Sequence, residues 1–71
     1  MALSYRRTVG QNIRARRKQA RLSQEKLAEK AELSYKYLGE VERGCVNVSL
    51  DSLMRIARAL GVRLGDLIGA L

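Results

Sequence analysis

Lys and Arg outnumber Asp and Glu by 14 to 7 in this 71-residue chain, and the excess is gathered at one end. Arg6, Arg7, Arg14, Arg16, Arg17, Lys18 and Arg21 crowd the first 21 residues with no acid among them. Residues 22–71 hold seven basic and seven acidic side chains, so the net charge of +7 belongs entirely to the first segment. A segregated basic element points to a polyanionic partner, with DNA, RNA and anionic lipid as the candidate classes, or else to a solvated basic helix face. Other chemistries lack their parts. There is no histidine, no nucleophile–base pair, no metal-ligand cluster and no glycine-rich phosphate loop. An enzyme is therefore not expected, nor a cofactor or metal. Cys45 is the only cysteine and has no internal partner, which agrees with a reducing compartment, and it reads as a small loop residue. No apolar run approaches a membrane span and no signal peptide is visible, so a cytoplasmic protein without a membrane partner is expected. Asn47-Val48-Ser49 matches a glycosylation sequon only by chance.

These charges must be positioned by helices. Proline, tryptophan and phenylalanine are absent, and the core must be built from Leu, Ile, Val and Ala in a chain rich in helix formers. A chain this short makes one modest domain and sits near the size at which a partner subunit is usual. From Thr8, the positions Val9, Ile13, Arg17 and Ala20 step along one face of a first helix. Arg17 falls on that apolar stripe and requires an inward acid, since an unpaired buried guanidinium costs several kcal/mol. Arg14, Arg16, Lys18 and Arg21 fan out around it. Ser23 suits the N-cap of a second helix with Leu27, Ala28 and Ala31 inward. After a break at Glu32 and Leu33, Ser34 caps a third helix running to about Arg43, with Leu38 and Val41 inward and Gly44 placed for a left-handed cap. Glu42 is the first candidate partner for Arg17, and Glu40 the second. Tyr35, Lys36, Gly39 and Glu40 remain on the opposite face. Ser49 caps a fourth helix carrying Leu50, Leu53, Ile56, Ala57 and Leu60, stopped by Gly61, and a last short helix covers Leu64 to Ile68.

The run from Leu22 to Gly44, with its Leu-Ser-Gln, Leu-Ala and Val-Glu-Arg-Gly signatures, closely resembles the Cro/cI-type (XRE) helix-turn-helix family. The later Asn47-Val-Ser-Leu and Ile56-Ala-Arg-Ala-Leu-Gly61 segments resemble the part of the same family that lies C-terminal to the motif. The resemblance covers about residues 8–68 and implies an all-α, five-helix, lambda-repressor-like domain. The Asn-Val-Ser-Leu loop is similar to that of restriction–modification controller proteins, and also occurs in phage-like repressors. Two departures stand out. Relatives usually carry Gly where Glu32 stands, which would strain a left-handed turn by about 1 kcal/mol. Arg63 and Gly65 replace a usual capping residue and a usual acid.

The resemblance further implies a single domain over residues 1–71, with 1–7 as an arm, 23–43 as the helix-turn-helix and 61–71 as a dimerisation region. The third helix would enter a major groove. Ser34, Tyr35, Lys36 and Glu40 would then read bases, Lys36 donating to guanine and Glu40 accepting from cytosine, each being otherwise an ordinary solvated side chain. Gln24, Tyr37, Arg43, Asn47 and Arg17 would meet phosphates. Tyr37 is equally readable as a buried ring and Arg17 as a purely structural partner of Glu42. Leu60, Val62, Leu64, Leu67, Ile68 and Leu71 supply apolar surface for a homodimer acting on pseudo-palindromic operators. The implied function is transcriptional regulation through double-stranded DNA, with no small-molecule effector. The alternative is an antitoxin-like interaction module that also binds DNA.

Overall fold

A computed structural model describes residues 4–69 as five helices in the order α1 (Ser4–Gln19), α2 (Gln24–Ala31), α3 (Tyr35–Glu42), α4 (Leu50–Leu60) and α5 (Leu64–Ile68). The serine caps form as the sequence requires. Ser23, Ser34 and Ser49 each hold extended backbone and accept from the amide three residues on, at Lys26 (3.0 Å), Tyr37 (3.0 Å) and Ser52 (3.1 Å). Gly44 and Gly61 take left-handed conformations just past α3 and α4. α5 starts without a capping serine. The Asp66 carboxylate instead accepts from the Arg63 amide at 3.0 Å, fixing a helix of a single turn.

Five short helices of this kind are held only by the face each buries. Val9 and Ile13 of α1, Leu27, Ala28 and Ala31 of α2, Leu38 and Val41 of α3, Leu53, Ile56 and Ala57 of α4, and Leu67 of α5 form one aliphatic core. Ile13, Leu27, Leu38, Ile56 and Leu67 are fully enclosed. Each such side chain contributes about 1.5–3 kcal/mol by leaving water. α2 packs on α3 and α4, while α1 packs on α3 and α5.

The contact between α1 and the end of α3 is made by backbone. A Cβ on Gly10 would stand 2.5 Å from the carbonyl oxygens of both Val41 and Glu42. A Cβ on Gly44 would stand 2.9 Å from the Cα of Arg7. Nothing in the sequence's periodicity marks Gly10, because a residue without a side chain leaves no hydrophobic signal.

Four expectations are corrected. Of the expected arm, residues 4–7 continue α1, with Gly44 against the backbone at Arg6 and Arg7, and residues 1–3 lie outside the described residues. Ala20 follows the end of α1 and is exposed, so the inward stripe ends at Arg17. Leu50, at the first position of α4, lies beside the core stripe and is 63% exposed. Leu67 is fully buried within its own domain, where the Asn12 side chain donates to its carbonyl at 2.9 Å, so it cannot line a dimer seam. Leu71 lies outside the described residues.

The turn between α2 and α3 confirms the strain read from the sequence. Glu32 sits at φ 57°, ψ 43°, and its amide and that of Leu33 close the helix end on Glu29 and Ala28. Glu32→Gly is expected to raise the unfolding free energy by about 0.5–1 kcal/mol in urea titrations. Gly10→Ala, which drives a methyl group into two carbonyls, is expected to lower it by about 1–3 kcal/mol or more in the same assay.

Candidate nucleic-acid interface

The interface is built on a buried ion pair. Arg17 and Glu42 are 9% and 6% exposed. The Arg17 guanidinium donates through Nε to Glu42 Oε2 at 2.7 Å and through Nη2 to Glu42 Oε1 at 3.1 Å. Its third nitrogen, Nη1, donates to the Leu22 carbonyl at 2.9 Å. Glu42 Oε1 also accepts from Gln24 Nε2 at 2.9 Å. The ion pair thus ties α1, the turn after it, the first residue of α2 and the last residue of α3. Burial of two charges is tolerable here because the fork-to-fork geometry and the added hydrogen bonds satisfy both groups. Of the two acids considered from sequence, Glu42 is the partner, and Glu40 points away half-exposed.

Above this pair lie two adjoining clefts. One is lined by Gln24, Tyr35, Lys36, Gly39 and Arg43, and the other by Arg14, Arg17, Ser23, Gln24, Glu25 and Tyr35. Gln24 and Tyr35 belong to both, so the surface is continuous from α1 across the start of α2 to the outer face of α3. The structure therefore gathers Gln24, Arg17, Tyr35, Lys36 and Arg43 on one surface. Gly39 is covered on this side, with Arg43 Nη1 and Gln24 Oε1 standing 3.3 and 3.8 Å from where its Cβ would be. Any larger side chain there would raise the floor of the cleft.

The remaining expected residues are placed differently. Ser34 is exposed, and its hydroxyl is engaged as the α3 cap. Glu40 is half-exposed and its carboxylate has no partner among the described residues. Tyr37 turns its half-buried ring to the core, and its hydroxyl accepts from the Ser49 amide at 3.4 Å, so it anchors the start of α4. Asn47 is exposed in the loop between α3 and α4. Arg14, on the wall of one cleft, is not singled out by the sequence. Its only signal is a position three residues before Arg17 in a helix crowded with arginine.

Two helices joined by a tight left-handed turn, the second presenting a polar outer face over an apolar underside, define the helix-turn-helix class. The chain belongs to the helix-turn-helix family, whose model matches residues 13–67, and its type within that family is the Cro/cI (XRE) type. It is 48% identical over 62 residues to an immunity repressor protein of Bacillus phage phi105, covering 87% of this chain and 43% of that protein. It is 42% identical over 69 residues to the control protein C.BamHI of Bacillus amyloliquefaciens, covering 96% of this chain and 85% of that one. The crystal structure of the restriction-modification controller protein C.AhdI from Aeromonas hydrophila is similar with a TM-score of 0.86 and 40% identity, over 87% of this chain and 94% of that one. The chain thus spans under half of the phage repressor and most of each of these two controllers.

Removing one member of the buried pair leaves the other uncompensated. Glu42→Ala is expected to cost about 3–5 kcal/mol, whereas Arg17→Met combined with Glu42→Leu should recover most of that loss. Denaturant titrations of the single and double variants measure both.

Proposed function

We propose that the protein binds double-stranded DNA sequence-specifically as a homodimer and regulates transcription. The observation that carries this reading is the outer face of α3. Tyr35 is 57% exposed, Lys36 is exposed, and neither their side chains nor that of Glu40 have a hydrogen-bond partner among the described residues. Leu38, Val41 and Glu42 hold the same helix rigidly from beneath. An α-helix with its side chains is about 10–12 Å across and fits the major groove of B-DNA, which is about 12 Å wide. In that groove Lys36 donates to guanine O6 and N7, Glu40 accepts from cytosine N4, Tyr35 meets a thymine methyl, and Ser34 lies at the point of entry. Gln24, at the start of α2, and Arg43 and Asn47, just after α3, grip the flanking phosphates. Arg17 serves mainly to hold Glu42, with one edge in the cleft. Tyr37 braces the α4 cap and contacts phosphate only through its remaining hydroxyl hydrogen.

A single copy measures 31 × 22 × 20 Å and meets one half-site. Two copies related by a two-fold axis place their α3 helices one DNA turn, about 34 Å, apart. Leu60, Val62, Leu64 and Ile68 are only partly covered by the core and supply the seam. Among the described residues no helix is long and apolar enough to cross a membrane. The names of the relatives support the regulatory reading: one is a phage repressor and two are controllers.

Selection of bound sites from random duplexes should return a two-fold symmetric consensus. Lys36→Ala and Glu40→Ala should each relax the preference at a distinct base position and weaken binding to the consensus by about 1–3 kcal/mol. Unaltered preferences in both variants would overturn the assignment of readers. Sedimentation at micromolar concentration should give a dimer, and Ile68→Asp should give a folded monomer.

A further inference from the structure

The seven cations of the first segment are not spread evenly around α1. Its inner face is Val9, Gly10, Ile13 and Arg17, all buried. On one side of that face α1 is tied to α5. The Asn12 carboxamide donates to the carbonyls of Leu67 (2.9 Å) and Gly69 (3.1 Å), and Arg16 lies 3.6 Å from the Asp66 carboxylate. The other side adjoins α3 and the start of α2. Gly10 touches the end of α3, Gly44 touches the backbone at Arg7, and Arg14 shares a cleft with Gln24 and Tyr35. On this second side stand Arg7, Arg14 and Lys18, at i, i+7 and i+11, which helical geometry aligns in one row. Arg21 follows in the turn that leads to Ser23. All four are exposed, and none has an ion-pair partner among the described residues. The one cation on the opposite side that has an acid within reach is Arg16, on the side that faces α5.

We infer that this row is a second phosphate-binding track, along which one strand of the duplex runs beside α1 while α3 occupies the adjacent groove. The inference rests on the DNA-binding reading above and extends it to residues of α1 and the turn after it that the α3 reading does not use. From Arg7 to Lys18 the row is about 16 Å long, a span over which one strand offers roughly two or three phosphates, since they lie farther apart along the strand than the 3.4 Å rise along the duplex axis. Its cations present no base-reading geometry of their own. They add affinity and salt dependence without adding sequence preference.

The test is the salt dependence of binding to the duplex recovered by site selection, measured by fluorescence anisotropy from ~50 to ~200 mM salt. Arg14→Gln and Arg16→Gln are the same chemical change on opposite sides of α1. Arg14→Gln should make the slope of log K against log salt shallower by about 0.9, and the triple variant Arg14→Gln, Lys18→Gln, Arg21→Gln by about 2–3. Arg16→Gln should leave it unchanged, and the consensus selected by the triple variant should equal that of the parent. All of these side chains lie at least partly in solvent, and thermal melts establish that each variant is folded. Equal slopes for parent and triple variant, or equal shifts for Arg14→Gln and Arg16→Gln, would overturn the track while leaving the α3 reading intact. Failure of the parent to bind any duplex would remove both. Loss of binding to phosphatidylserine vesicles in the triple variant, with duplex binding unchanged, would reassign the row to a lipid surface and overturn it as well.

Discussion

The rest of the structure depends on the requirement that a guanidinium and a carboxylate, once removed from water, be fully satisfied. Arg17 and Glu42 meet it together, and in doing so they fix the relative positions of three helices. Gln24 is drawn into the same arrangement through Glu42, so the first residue of α2 is oriented by a group at the end of α3. Such a pair adds less to net stability than an aliphatic filling of the same volume would. Its contribution here is directional. Aliphatic contacts tolerate small slides of one helix over another, whereas a two-pronged ionic contact 25 residues apart in sequence admits one geometry.

Backbone proximity supplies the second constraint. Gly10 and Gly44 bring α1 and the end of α3 closer than any side chain would allow. This closeness sets the distance between the basic first helix and the polar outer face of α3. The two surfaces consequently form one continuous concavity, with Gln24 and Tyr35 at its centre.

Much of this was legible in the residues themselves. A charge on an apolar stripe announced Arg17, and Glu42 lay one turn beyond Leu38. Three serines before apolar runs announced the caps, and the resemblance to a family that usually has glycine at the position of Glu32 implied a left-handed turn under strain. What stayed hidden was of a different physical kind. Gly10 acts by the absence of atoms. Asn12 acts through two backbone carbonyls more than 50 residues away, which no local pattern encodes. Leu67 and Leu50 have the same side chain and opposite environments, because α5 turns the first under α1 whereas the second stands at the rim of α4. Apolar composition told that surface was available near the C-terminus, without telling which leucine the domain would use for itself. The direction in which the α1 cations point likewise depends on which neighbours α1 has on either side.

The bond from Asn12 to the carbonyls of Leu67 and Gly69 joins the first helix to the last. Leu67 itself completes the core from that same far end of the chain. During synthesis, α1 through α4 can emerge from the ribosome and collapse, but they lack a side chain that fills the centre and the partners of Asn12. The nascent chain therefore cannot lock vectorially, helix by helix. The core is complete only once α5 has joined α1 through α4, so the domain is expected to consolidate as one unit.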